Sequence, residues 1–110
     1  MTKDPVILFR HIIDSIDSIS LYLENSSESD FIKDQEKQDA VVRRLEIIGE
    51  AVGNLPESVR SKFDDIEWRK IIAMRNILAH EYFGVDLKLI WNVVKNRLPE
   101  LREAIIKFLE

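Results

Sequence analysis

The sequence predicts an all-α domain, an antiparallel bundle of four amphipathic helices, and three observations carry that expectation. Apolar residues recur at intervals of three and four in four long stretches, the period of a half-buried helix. The 110 residues hold only three Gly and three Pro, too few turn formers for a sandwich or barrel of many short strands. No stretch alternates apolar and polar residues for long, and no repeat or low-complexity tract interrupts the pattern. At this length residues 1–110 make one domain with room for a single core.

The elements follow in order. Asp4 before Pro5 reads as an N-cap with proline at the first helical position, where its missing N–H costs nothing. Phe9, Ile12, Ile13, Ile16, Ile19 and Leu23 then mark a helix over residues 5–24. Residues 25–30 (Asn-Ser-Ser-Glu-Ser-Asp) are a polar loop able to cap the next element. Val41, Leu45, Ile48, Val52 and Leu55 define a second long helix running toward Gly53 and stopped by Asn54 and Pro56. Residues 56–63 can form a short extra helix. Asp64 to Glu67 resembles a capping box opening a third main helix, with Trp68, Ile72, Ala79 and Tyr82 on one inward stripe and Gly84 suited to a left-handed C-terminal position. Asp86 caps a fourth helix that turns Leu87, Ile90, Trp91, Val94, Leu98, Leu101, Ile105 and Phe108 inward. Pro99 within it predicts a kink or split.

Composition excludes several functions. The absence of Cys removes disulfide frameworks, thiolate metal sites and cysteine nucleophiles. A net charge of −4 excludes a globally basic nucleic-acid binder, so phosphate contact needs a local patch. Residues 1–39 carry four basic and nine acidic residues, residues 40–75 seven and six, and residues 76–110 five and five. Arg43, Arg44, Arg69, Lys70 and Arg75 are therefore the patch candidates, against the plainer role of a solvated helix face. The N-terminus lacks a signal-peptide core and no eighteen apolar residues run together, so a cytoplasmic chain without membrane contact is expected.

The chemistry concentrates in Arg75-Asn-Ile-Leu-Ala-His80-Glu-Tyr82. Arg75 falls on the predicted apolar stripe, where a charge is costly to bury without a partner. At 100° per residue Asn76 and His80 share a face, whereas Arg75 stands about 140° from His80. Either the arginine reaches around its helix, or two copies pool their groups across a dimer axis. The plainer alternative is that both are polar groups at a helix end, His80 being placed near the negative dipole terminus. His11 has no partner at metal-ligand spacing. Trp68 and Trp91 read as core or interface anchors. Asp64 and Asp65 lack the further oxygens an ion would need, so no metal and no cofactor is expected.

The run Trp68-Arg-Lys-Ile-Ile-Ala-Met-Arg-Asn-Ile-Leu-Ala-His-Glu-Tyr-Phe-Gly-Val-Asp86, with Arg43-Arg-Leu-Glu-Ile-Ile-Gly-Glu-Ala51 before it, closely resembles the HepT-like branch of the HEPN superfamily. The likeness spans nearly the whole chain. Its signature, Arg, four residues, His, one residue, Tyr, is matched by Arg75, His80 and Tyr82; the chain departs at Ala73, where many relatives have Gly, and at Glu67, where many have Pro, and neither change touches those three positions. The resemblance implies a helical-bundle homodimer acting on RNA as a metal-independent ribonuclease, the toxin of a pair whose antitoxin is a minimal nucleotidyltransferase, MntA. It implies that Arg75 and His80 form the catalytic site and that Tyr82 receives AMP from the antitoxin.

Those residue types suit the chemistry. Metal-free RNA cleavage needs a group to take the 2′-OH proton and one to protonate the leaving 5′-oxygen, a task for imidazole. A guanidinium can grip two phosphate oxygens and offset charge in the transition state. Asn76 is a supporting candidate that orients the histidine or a phosphate oxygen, or simply makes a structural hydrogen bond. The alternative function is a noncatalytic module that presents a substrate or nucleotide to a nucleotidyltransferase, and it predicts no ribonuclease activity in the isolated chain.

Overall fold

The computed structural model describes residues 4–81 and 84–110, and among them every regular element is helical. Helix α1 spans Pro5–Tyr22, α2 Glu28–Lys33, α3 Gln35–Asn54, α4 Glu57–Arg60, α5 Trp68–Glu81, α6 Leu87–Asn92 and α7 Leu98–Leu109. Residues Val93–Arg97 form a π-helical turn joining α6 to α7. Four long helical rods, α1, α3, α5 and the α6–α7 unit, thus make the bundle, with α2 and α4 as short connectors. None of the described helices is long and apolar enough to cross a membrane.

Local chemistry sets most boundaries. The Asp4 carboxylate accepts from the N–H of Val6 at 3.0 Å with Pro5 opening α1. Ser27 and Asp30 exchange side-chain and backbone bonds at 3.1 and 2.9 Å in a full capping box, a form of cap that satisfies orphan donors at the start of α2. Asp34 then caps α3 through the N–H of Lys37 at 3.1 Å. The buried Gln38 amide donates to the carbonyls of Phe31 and Ile32 at 3.0 and 2.9 Å, sealing the end of α2. Asp86 accepts from Lys88 and Leu89 at 2.9 and 3.3 Å, as expected of the fourth cap. Pro99, second in α7, has no N–H for the carbonyl four residues back, and the wide π turn immediately before it takes up the break.

Helix α3 is the centre of the packing, with α1, α2 and α5 against it, while α7 closes on α1. The core is mostly aliphatic around the fully buried Phe9 and Phe31: Leu8, Ile12 and Ile19 of α1, Val41, Ile48 and Val52 of α3, and Ile90, Leu101 and Ile105 of the last rod are almost fully buried. An aromatic cluster ties down the start of α5. Phe63 lies 5.7 Å from Phe9, 5.2 Å from Phe108 and 5.2 Å from Trp68, the last edge-on, and each such pair adds about 0.5–1.5 kcal/mol beyond burial. The Trp68 indole N–H donates to the carbonyl of Arg60 at 3.0 Å, anchoring α5 to α4. Phe108, expected inward, keeps its ring on Phe9 at 5.3 Å yet is 36% exposed near the chain's end.

Four expectations are corrected. The inward line of α5 runs through Trp68, Ile71, Arg75 and Leu78; Leu78 is buried and Ala79 is exposed, so Ala79 does not belong to the stripe. Asp64 to Glu67 is not a capping box, because α5 opens only at Trp68. The Glu67 carbonyl accepts from Lys70 and Ile71, and its carboxylate pairs with Lys70 instead. Gly84 has no positive φ, since the Asp86 cap, entered in an extended conformation, starts the next helix without a left-handed residue. The single expected helix up to Gly53 is also preceded by the separate α2, the break falling at Asp34.

Candidate active site

The side chains singled out by sequence lie on α5, held between its aromatic anchor at Trp68 and its packing on α3. Arg75 is partly buried and Asn76 and His80 are exposed. The root of Arg75 sits against Gly49 of α3, where a Cβ would overlap the arginine Cβ and stand 2.7 Å from its Cγ. The guanidinium then turns back along its own helix, Nη1 donating to the Asn76 Oδ1 at 3.1 Å. Asn76 and His80 are four residues apart and share a face. The arginine, rooted about 140° from the histidine, thus bends toward the histidine's side of α5 and rests on a residue one turn before it.

That exposed side is a continuous line. Arg69, Ala73, Asn76 and His80 follow at intervals of four, three and four, and all four are exposed. The remaining basic candidates are engaged elsewhere. Lys70 pairs with Glu67 at 2.8 Å, Arg43 with Glu46 at 3.8 Å, and the Arg44 Nε donates to the Tyr22 hydroxyl at 3.3 Å. The hydrogen bond from Lys70, followed by its charge, holds the Glu67 carboxyl below its ordinary range. Arg69 shares the exposed face of Asn76 and His80, while Arg43 and Arg44 sit on α3.

Beside this line runs an apolar groove of about 430 Å³ between α5 and the last rod, with Met74 and Ile77 facing Leu89 and Val93. Ile77 and Leu89 are 49% and 51% exposed. Tyr82 lies outside the described residues. His11 is exposed on α1, and among the described residues no three His, Cys, Asp or Glu side chains gather to hold a metal ion. Gly49 drew no role from the sequence; its signal was a lone glycine inside a long helical pattern.

The fold and this cluster define an all-α bundle that presents arginine, asparagine and histidine along one surface helix. The chain belongs to the ribonuclease HepT-like family, whose model matches residues 12–108. It is 48% identical over 110 residues to a Methanocaldococcus jannaschii protein named "Gamma-glutamylcyclotransferase and putative RNase", covering 100% of this chain and 50% of that one. The chain thus spans half the length of that relative. It is 39% identical over 108 residues to a "Putative RNase" of Caldanaerobacter subterraneus, covering 98% and 96% of the two chains. It is 40% identical over 91 residues to the "Probable ribonuclease HepT" of Thermococcus cleftensis, covering 83% of each. No solved structure matches the chain significantly.

Proposed function

We propose that this chain is the ribonuclease toxin of a toxin–antitoxin pair and cleaves RNA without a metal ion through Arg75 and His80. The observation that carries the reading is the hydrogen bond from Arg75 to Asn76, which draws a guanidinium onto the exposed line that ends in His80. The scissile phosphate rests on the Arg75 guanidinium, which can hold two of its oxygens. The ribose 2′-oxygen attacks phosphorus as its proton passes to an imidazole. The bond to the 5′-oxygen breaks, and that oxygen takes a proton, leaving a 2′,3′-cyclic phosphate and a 5′-hydroxyl. Arg75 offsets the charge that builds on the phosphoryl oxygens, and Arg69, two turns before Asn76, extends the cationic track along the strand.

His80 is the one imidazole at each protomer's candidate site, which makes a homodimer the economical arrangement, with two copies supplying the base and the acid around one cleft. The half-exposed Ile77 and Leu89 beside the site favour such pairing. A nucleotidyltransferase antitoxin would silence the enzyme by adding AMP to Tyr82, placing a negative phosphodiester near the guanidinium that binds RNA.

The test is cleavage of a short RNA in EDTA beside the same RNA carrying 2′-O-methyl groups. Cyclic-phosphate ends from the first and no cleavage of the second are expected. Intact RNA after incubation with the partner-free chain would favour the presenting module instead, and cleavage of the methylated strand would exclude attack by the 2′-oxygen.

A further inference from the structure

We propose that Gly49 is a positioning residue for Arg75: the bare α-carbon of α3 is the seat that aims the guanidinium at Asn76 and the RNA-binding line. The inference rests on the assignment of Arg75 to phosphate binding. Gly49 is buried in the interior of α3, a 20-residue helix, where glycine weakens the helix relative to alanine. A compensating reason is visible in the packing. A Cβ there would strike the Cβ and Cγ of Arg75 and come within 3.4 Å of the Ile71 carbonyl oxygen. The overlap is with the root of the arginine side chain, so swinging its far end cannot relieve it, while the carbonyl oxygen lies at ordinary contact distance. Gly53, one turn on, is the contrast: nothing lies within 4 Å of its would-be Cβ.

A side chain at position 49 forces α5 away from α3, because no rotamer moves the Arg75 Cβ. The arginine stem then loses the surface that fixes its rotamer, and the guanidinium is no longer held where Nη1 meets the Asn76 oxygen. The consequence is specific: one phosphate contact is lost, not RNA binding as a whole.

The experiment compares Gly49→Ala, Arg75→Ala, their double variant and Gly53→Ala. It measures RNA cleavage and the affinity for a 2′-O-methyl RNA across salt concentrations. The parent's slope of log affinity against log salt should fall by about 0.7 when one contact to a single strand is lost. Gly49→Ala is expected to cleave at least tenfold more slowly and to lose that slope as Arg75→Ala does. The double variant should bind no more weakly than Arg75→Ala, and Gly53→Ala should match the parent. A Gly49→Ala protein with the parent's slope overturns the proposal, as does a double variant that loses a further increment. If Arg75→Ala itself matches the parent in rate and slope, the phosphate-binding role of Arg75 fails and the proposal falls with it. Should Gly49→Ala not fold, Arg75→Gly removes both side-chain atoms it strikes, so Gly49→Ala/Arg75→Gly should fold with a urea midpoint at or above that of Arg75→Gly. A double variant that stays unfolded overturns the seat.

Discussion

Replacing His80 and Arg75 separately by alanine distinguishes chemistry from architecture, because the two side chains stand in different surroundings. His80 is exposed in the last turn of α5, so His80→Ala opens no cavity and should change stability by no more than about 0.5 kcal/mol. Arg75→Ala removes Cγ and Cδ from a partly buried stem lying on Gly49. At about 0.8 kcal/mol per fully buried methylene, half-burial of two costs about 0.8 kcal/mol. Neither change unfolds a domain stable by about 5–15 kcal/mol. The kinetic effects are far larger. Loss of a general acid or base removes about 10² to 10⁴ in rate, or roughly 3–5 kcal/mol of barrier. Loss of a transition-state charge donor removes about 10² to 10³. The assay is single-turnover cleavage of an end-labelled RNA in EDTA beside urea unfolding followed by circular dichroism. Both variants should unfold within about 1 kcal/mol of the parent and cleave at least a hundredfold more slowly. A His80→Ala enzyme within twofold of the parent rate would refute the catalytic assignment. Loss of helicity in either variant would show a structural role instead.

Mixing Arg75→Ala with His80→Ala protein should restore part of the cleavage if the two subunits share a site; a monomer in sedimentation that remains active at nanomolar concentration would contradict it. Tyr82→Phe should keep ribonuclease activity and take no AMP from a nucleotidyltransferase antitoxin with ATP and Mg²⁺. Intact-mass spectrometry of the parent should show the addition, and an unmodified but inhibited parent would mean inhibition by occlusion. The Asp30 carboxyl lies below its ordinary range because the Ser27 backbone N–H, and then its hydroxyl, bond to it. A lowered folded pKa stabilises above the unfolded value and is lost as pH falls through the folded one. The amide signal of Ser27 should therefore hold to pH values below the usual carboxylate range and shift only there, and in Asp30→Asn that acid shift should be absent.

What the sequence determined by itself was local. The caps at Asp4 and Asp86 and the break before Pro99 follow from a few neighbouring atoms, so the residues alone foretold them. The four helical periods were legible for the same reason, and so was the signature made by Arg75, His80 and Tyr82, with Asn76 inside it. The phase of α5 was not. Ile71, Ile72, Ala73, Met74, Ile77, Leu78 and Ala79 put apolar groups around most of that helix, and periodicity cannot choose among adjacent apolar stripes. Only contact with α3 decided that Leu78 turns inward and Ala79 outward. The tertiary structure alone also left the line from Arg69 to His80 exposed, brought Arg44 to the Tyr22 hydroxyl of another helix, and set Gly49 beneath Arg75 from 26 positions away. Close approach between helices depends on the volume each side chain finds opposite it, and that volume belongs to the packed bundle, where no single segment can specify it.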